Sequence, residues 1–301
     1  MKSKYLFVYP GAILFAFPFM GTAAQAASIT IDVVTTFVYP ETGDQTHPQK
    51  INDAGDIAGQ IILSTGETRG FARFRNGTFT PPIIEPNEDG SLTDVRAIND
   101  SRLIGGFYIL ANVAHGFFLS GNTFTEFDAP GALNTYVNAL NDAGDFGGTI
   151  DISGGNQAYL SIGGNITSFS VPGAVTTAVY GLNNSNQAAG SYTDSASVFH
   201  GFFRDADGTL TFPIDAPGAT QTFIFGINDQ GWMVGRYLDS AGATHGLFLR
   251  MPARFTVFDY PGSTFTSLNG VNRQGLICGR YLDSSGVEHG IVARVRRTPA
   301  D

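Results

Sequence analysis

Short apolar runs alternate along the chain with clusters of Gly, Pro, Asn, Asp and Ser, the pattern of brief strands joined by tight turns. The last stretch shows the unit most clearly. Phe255 to Asp259, Phe265 to Val271, Leu276 to Leu282 and His289 to Val295 read as four strands. Between them stand Pro261-Gly262, where proline fixes φ and glycine accepts a positive φ, then Asn272-Arg273-Gln274-Gly275, then Asp283-Ser284-Ser285-Gly286.

This unit recurs. Asn52, Asn99, Asn141, Asn183, Asn228 and Asn272 each follow Ile, Leu or Val, at spacings of 47, 42, 42, 45 and 44. Seven residues after each Asn comes a glycine: Gly59, Gly106, Gly148, Gly190, Gly235 and Gly279. The residue before that glycine is small or slender, namely Ala58, Gly105, Gly147, Ala189, Val234 or Cys278. Eleven to thirteen residues before each Asn lies a proline, Pro40, Pro86, Pro130, Pro172, Pro217 or Pro261. Sixteen or seventeen residues after it lies a polar residue: Arg69, His115, Gln157, His200, His245 or His289.

Six four-stranded units rich in Gly and aromatic residues predict an all-β, six-bladed propeller of four-stranded blades, since closing the ring protects the sheet edges. The pair of a small residue and glycine predicts that the third strand of each unit is innermost, where neighbours crowd the axis. With that phase the last blade keeps only the strands after Asn272. Its two outer strands then come from the N-terminus, Ile29 to Phe37 and the segment up to Ile51, so that pairing with the last blade clasps the ring. The turn after each Asn has a glycine for the left-handed position at Gly55, Gly144, Gly231 and Gly275, with Asn186 as the next-best residue. Only Arg102 departs, so its turn is expected to be the least regular. Asn-Asp-x-Gly resembles part of a calcium loop, but the later acidic ligand is missing, which favours structural turns.

With 301 residues and 43% hydrophobic content the chain can bury one large core. Met1-Lys2-Ser3-Lys4, an apolar run from Tyr5 to Met20 and Ala24-Gln25-Ala26 read as an export signal with its cleavage site. Pro10 and Pro18 inside the run argue against a retained membrane span. The expected organisation is a signal peptide at 1–26, one six-repeat domain at 27–297 and a short tail at 298–301, in a monomer located in the periplasm, at the cell envelope or outside the cell.

Of the 17 basic residues, removal of Lys2 and Lys4 leaves 15 against 26 acidic ones, a formal charge of −11. Such a surface repels phosphate backbones and makes a nucleic-acid partner unexpected. One lysine remains, Lys50, so amine chemistry has almost no candidate. Cys278 is the sole cysteine, which rules out an internal disulfide, and its place in the small-residue slot reads as core filler.

Ile-Asn-Asp-x-Gly, a glycine further on and then His, a small residue and Phe resemble the extracellular HAF repeat family. The tripeptide stands as His115-Gly116-Phe117 and His200-Gly201-Phe202, drifting to His245-Gly246-Leu247 and His289-Gly290-Ile291. The likeness spans nearly all of residues 29–296. It implies a secreted repeat protein of undefined activity and carries no catalytic residues.

The sharpest chemical reading is a metal held by a ring of His115, His200, His245 and His289. Ring geometry opposes it, because equivalent strands of neighbouring blades stand on the order of 10 Å apart while zinc needs ligands at about 2.1 Å. The alternatives are that each His packs between blades and bonds a backbone or carboxylate group of its own unit, or that the slot of Arg69, His115, Gln157, His200, His245 and His289 contacts a ligand or partner. Asp194, Asp239 and Asp283 lie six residues before His200, His245 and His289, whereas Asp151 faces Gln157 and Ile109 replaces the Asp before His115. No nucleophile elbow, His-Glu-x-x-His or phosphate loop occurs. The non-repeating polar residues that stand out are Trp232, Glu126, Asp128 and Asn87-Glu88-Asp89-Gly90, without a visible partner for any. The sequence therefore points to a binding or structural module for a glycan, peptide or protein, with no catalytic, cofactor or metal residue assigned. A carbohydrate-active lyase or hydrolase on the same ring is the alternative, and convergent carboxylates, or His with Arg, in one pocket would favour it.

Overall fold

Six strands, Gln45–Ile51, Thr93–Ile98, Asn134–Leu140, Thr176–Leu182, Gln221–Ile227 and Thr266–Val271, contact one another in sequence order, and the last returns to the first. They form the wall of a central channel. The computed structural model describes residues 28–40, 45–90, 92–251 and 254–298. The export signal and its cleavage site lie outside the described residues.

Each inner strand starts an antiparallel sheet that runs outward through a second and a third strand. Six such sheets make a six-bladed propeller. Blades 2 to 5 have four strands in simple succession. Blade 6 borrows its outer strand from the N-terminus, where Ser28–Phe37 pairs antiparallel with Glu288–Thr298. The two ends of the chain thus meet in one sheet. Blade 1 has three strands, with its outer edge reduced to the isolated bridges Gly70↔Ile83 and Arg73↔Phe79. Pro81 and Pro82 occupy that edge and cannot donate to a ladder.

The innermost strand is the one that ends at the repeated Asn, not the glycine strand that the sequence favoured. The N-terminus accordingly supplies one outer strand, and the segment up to Ile51 is the inner strand of blade 1. The glycine is nevertheless sterically required. In every blade the inner strand carries a β-bulge opposite it, with Gln49, Arg96, Asn138, Tyr180, Phe225 or Asn269 as the extra residue. The bulge pushes a carbonyl onto the glycine. A Cβ on Gly59, Gly106, Gly148, Gly190, Gly235 or Gly279 would overlap the carbonyl oxygen of His47, Asp94, Tyr136, Ala178, Phe223 or Ser267. Crowding was read correctly from the sequence, but its source is the bulged neighbour rather than the axis.

The Asn side chain closes its own turn and ties it to the next blade. Its Oδ1 accepts from the backbone N–H four residues on, as at Asn52 (from Asp56, 2.8 Å) and Asn272 (from Leu276, 2.9 Å). Its Nδ2 donates to the carbonyl of the next blade's Asn, in six bonds of 2.9–3.3 Å that run from Asn52 around to Asn272 and back. Both functions of these buried amides are used within the protein. Arg102 adopts the same left-handed turn as the glycines, with φ of 63° and its N–H 3.0 Å from the Asn99 carbonyl. The turn is regular, contrary to expectation. Its side chain bonds Asp56 at 2.8 Å and covers the Phe74 ring.

One invariant slot escaped the sequence reading. Thr46, Thr93, Thr135, Thr177, Thr222 and Thr266, six residues before each Asn, are buried, and each Oγ1 accepts the N–H of the residue preceding the repeated proline. They fix the entry of each blade. Cys278 is fully buried in the core with its thiol pushed up to about 12 by burial, an inert filler.

Candidate functional site

The two ends of the channel differ. At one end the Asn turns form a narrow mouth of about 80 Å³ lined by Asp53, Asp100, Asp142, Asn184, Asp229 and Arg273. These side chains are tied to one another: Asp100, Asp142, Asn184, Asp229 and Asp53 accept, in turn, the backbone N–H of Asp53, Asp100, Asp142, Asn184 and Arg273. The mouth is a second girdle outside the Asn ring.

The opposite end carries the hairpins between second and third strands and the loops leading into each next blade. Here lie the repeated polar residues. His115, His200, His245 and His289 stand on third strands, one strand further from the axis than the sequence phase implied. Each is paired across its hairpin with a tyrosine that stacks on it: Tyr108, Tyr192, Tyr237 and Tyr281, at 4.8–5.3 Å between ring centroids. Where the slot holds Arg69 or Gln157, Ile61 or Ile150 replaces the tyrosine. That covariation between repeats was the signal available in the sequence.

Carboxylates hold the imidazoles. Nε2 of His200, His245 and His289 faces Asp194 (3.5 Å), Asp239 (3.3 Å) and Asp283 (2.8 Å). Nδ1 of His115, His200 and His245 lies 2.9 Å from Asp128, Asp215 and Asp259, on the loops that carry the repeated proline. Burial pulls the His245 pKa down, but its hydrogen bonds to Asp259 and Asp239 outweigh that and leave it above its ordinary value. Hydrogen bonds from Ser285 and His289 hold Asp283 well below the usual carboxylate range. His115, Glu126 and Asp128 form the one cluster among the described residues with metal-ligand spacing. Its atoms already have protein partners, since Asp128 bonds His115 and Glu126 accepts the Tyr108 hydroxyl.

Arg69 is buried between Glu67 (3.0 Å) and Glu88 (3.1 Å), so the Asn87–Gly90 loop docks on the first copy of the slot. Gln157 stands opposite Ile150. Trp232 packs edge-on against Phe248 beneath the Arg297 guanidinium.

The residues that do not repeat converge elsewhere, inside the channel. The six bulge residues point to the axis and, with His47, Lys50, Gln60, Arg236, Ser267 and Arg280, line a chamber of about 270 Å³. All six blades contribute to it, and the bulge slot alone brings five residue types. Lys50, Arg96, Arg236 and Arg280 form a cationic arc across blades 1, 2, 5 and 6; Asn138 and Tyr180 of blades 3 and 4 line the rest of the ring, with Phe225 of blade 5 beneath the Arg236 guanidinium. Tyr180 and Phe225 meet edge to face at 5.7 Å. Two carboxylates balance part of the charge: Asp94 bonds Arg96 at 2.6 Å, and Glu288 bonds Arg280 at 2.7 Å and contacts His47.

Lys50 occupies the slot held in the other blades by Ala97, Ala139, Gly181, Gly226 and Gly270. Burial lowers its pKa to about 8. Arg236 makes no ion pair among the described residues; its guanidinium lies over Phe223, Phe225 and Phe265, and burial lowers its pKa to about 10. The Nε atoms of Arg96, Arg236 and Arg280 are buried without a hydrogen-bond partner. The sequence reading put no chemistry on Lys50 or these arginines, because the bulge that aims the inner-strand residues inward leaves no local signature.

No family profile matches the sequence, and a search of curated proteins finds no match. Solved structures share the fold. TolB from Acinetobacter baumannii superposes with a TM-score of 0.54 at 12% identity, over 80% of this chain and 65% of that one. The Aleuria aurantia lectin, a six-bladed β-propeller that recognises fucose, gives 0.51 at 10% identity, over 88% and 97%. A lectin from Burkholderia pseudomallei gives 0.50 at 11% identity, over 84% and 82%. At these identities the likeness is one of fold.

Proposed function

We propose that this propeller is an exported binding module whose ligand enters the channel at the histidine end. One observation carries the reading: the Thr, Asn and Gly slots are uniform in all six blades, while the bulge slot facing the chamber holds five residue types, Gln49, Arg96, Asn138, Tyr180, Phe225 and Asn269. A scaffold alone would have no reason to converge its non-repeating polar and aromatic side chains on one cavity. The fucose-recognising lectin and the extracellular HAF repeats, which the chain resembles in fold and in motif respectively, are consistent with a glycan ligand outside the cytoplasm. No helix among the described residues is long and apolar enough to cross a membrane. Glycan and peptide arrays probed with the chain from residue 27 onward test the reading. Saturable binding that is lost when Asn138→Trp fills the chamber is expected; binding untouched by that substitution places the ligand elsewhere.

A second reading is favoured by the meeting of His47, Arg280 and Glu288 at the chamber that Lys50 also lines: a carbohydrate-active lyase or hydrolase in that chamber. An amine with a pKa near 8 is a competent proton acceptor at mildly alkaline pH. Release of reducing ends from polysaccharides, abolished by Lys50→Met, would establish the enzyme; intact polymer after prolonged incubation would leave the binding module.

A further inference from the structure

The chamber's charge narrows the ligand. Four cations line it and two carboxylates partner them, in a protein whose formal charge is −9 overall. The surface repels anions while the chamber attracts them, an arrangement that selects a small anionic group able to reach the axis rather than an extended polyanion lying across the face. An anion held in the chamber would offset the desolvation of Lys50 and Arg236.

The neutral lining says what the anion is attached to. Tyr180 offers ring surface beside Phe225, over which Arg236 lies, and Asn138 and Gln49 offer amides, a mixture suited to a ring bearing both C–H faces and hydroxyls. Resting on the reading of this chamber as the binding site, we propose that its ligand is an acidic saccharide, with the carboxylate of a uronate residue in the cationic arc and the sugar ring against Tyr180 and Phe225. Arg236 is the specificity-determining residue, since among the described residues it is the arginine in the arc without a carboxylate ion pair.

Calorimetric titration of the folded protein with trigalacturonate tests this, with neutral galactotriose, inorganic sulfate and the peptide Gly-Gly-Phe as comparison probes. The expected result is saturable binding of trigalacturonate, at least tenfold weaker binding of each comparison probe, and at least tenfold loss in Arg236→Gln at an unchanged melting temperature. Should that variant misfold, Lys50→Ala, which restores the residue found at the same slot in blades 2 and 3, must give the loss instead. Trigalacturonate binding that is indifferent to both substitutions overturns the proposal. Equal affinity for sulfate or the peptide overturns the sugar assignment. Binding of the neutral trisaccharide alone overturns the inference but leaves the binding-module reading standing, whereas failure of every saccharide and peptide, here and on the arrays, removes that reading as well.

Discussion

The Nδ2 of Asn272 donates to the carbonyl of Asn52 at 2.9 Å, joining residues 220 positions apart in the chain. With the Arg273 N–H on Asp53 and the strand pairing of the two chain ends, it closes the row of repeats into a ring. The same amide is bonded within its own turn, so one side chain holds local and long-range structure together.

Asn272→Ala therefore takes the side-chain acceptor from the Gln274 and Leu276 N–H groups and the cross-blade donor from the Asn52 carbonyl, which keeps the Gly55 N–H, so that three buried or half-buried bonds are lost at once. A loss of about 2–4 kcal/mol follows from the usual cost of orphaned polar groups. Asn272→Asp keeps the turn acceptor and loses only the donor, and should fall between the two. Chemical denaturation of the three proteins measures the order.

Gly148→Ala places a methyl group on the Tyr136 carbonyl oxygen, a backbone atom that cannot swing aside. The expected destabilisation is about 2–4 kcal/mol. Gly286→Ala is a fitting control: its φ is +83° but nothing stands near the added methyl, so only the roughly 1–2 kcal/mol conformational cost applies. Equal melting temperatures for the two variants would contradict the bulge account.

The architecture was legible in the sequence because turn chemistry repeats at fixed offsets: Asn and Pro mark the turns in every copy, and a turn glycine stands in four of the six. The phase was not, because a glycine facing a bulged carbonyl and a glycine crowded at an axis leave the same mark. Sequence order recovered the contacts of Asp194, Asp239 and Asp283 with their histidines across short hairpins. It could not recover Asp128, Asp215 and Asp259, which arrive from the next loop, nor the pairing of Glu126 with Tyr108. The chamber was least visible of all, since its residues are gathered from all six blades and follow no single repeated slot.

His245 gives a pH signature. With its pKa raised in the folded state, its contribution to stability is fully present below the ordinary value of about 6.5 and is lost as the pH rises through the raised value. Asp259→Asn should lower the imidazole pKa read by NMR and destabilise the protein below about pH 6 by about 0.5–1 kcal/mol, with less effect at pH 8.

Lys50 behaves in the opposite sense. Its pKa falls on folding to about 8, so the folded state resists protonation, and stability rises as the pH climbs from about 8 toward the ordinary lysine value. The groups that act on it are Arg96 from blade 2, which lowers its pKa, and Cys278 from blade 6, which raises it. Lys50→Ala should raise the melting temperature at pH 7, by the equivalent of about 1–3 kcal/mol, while weakening anion binding. In the unsubstituted protein, affinity for trigalacturonate should decline as the pH passes about 8.

The central claim is that the ligand sits on the channel axis rather than on the repeated rim. A crystal of the protein soaked with trigalacturonate decides this directly. The account predicts density for a uronate in the chamber, its carboxylate on the Arg236 guanidinium and its ring beside Tyr180 and Phe225. Density instead at the Tyr237, His245 and Asp259 cluster and its counterparts, with the chamber holding only water, would contradict it.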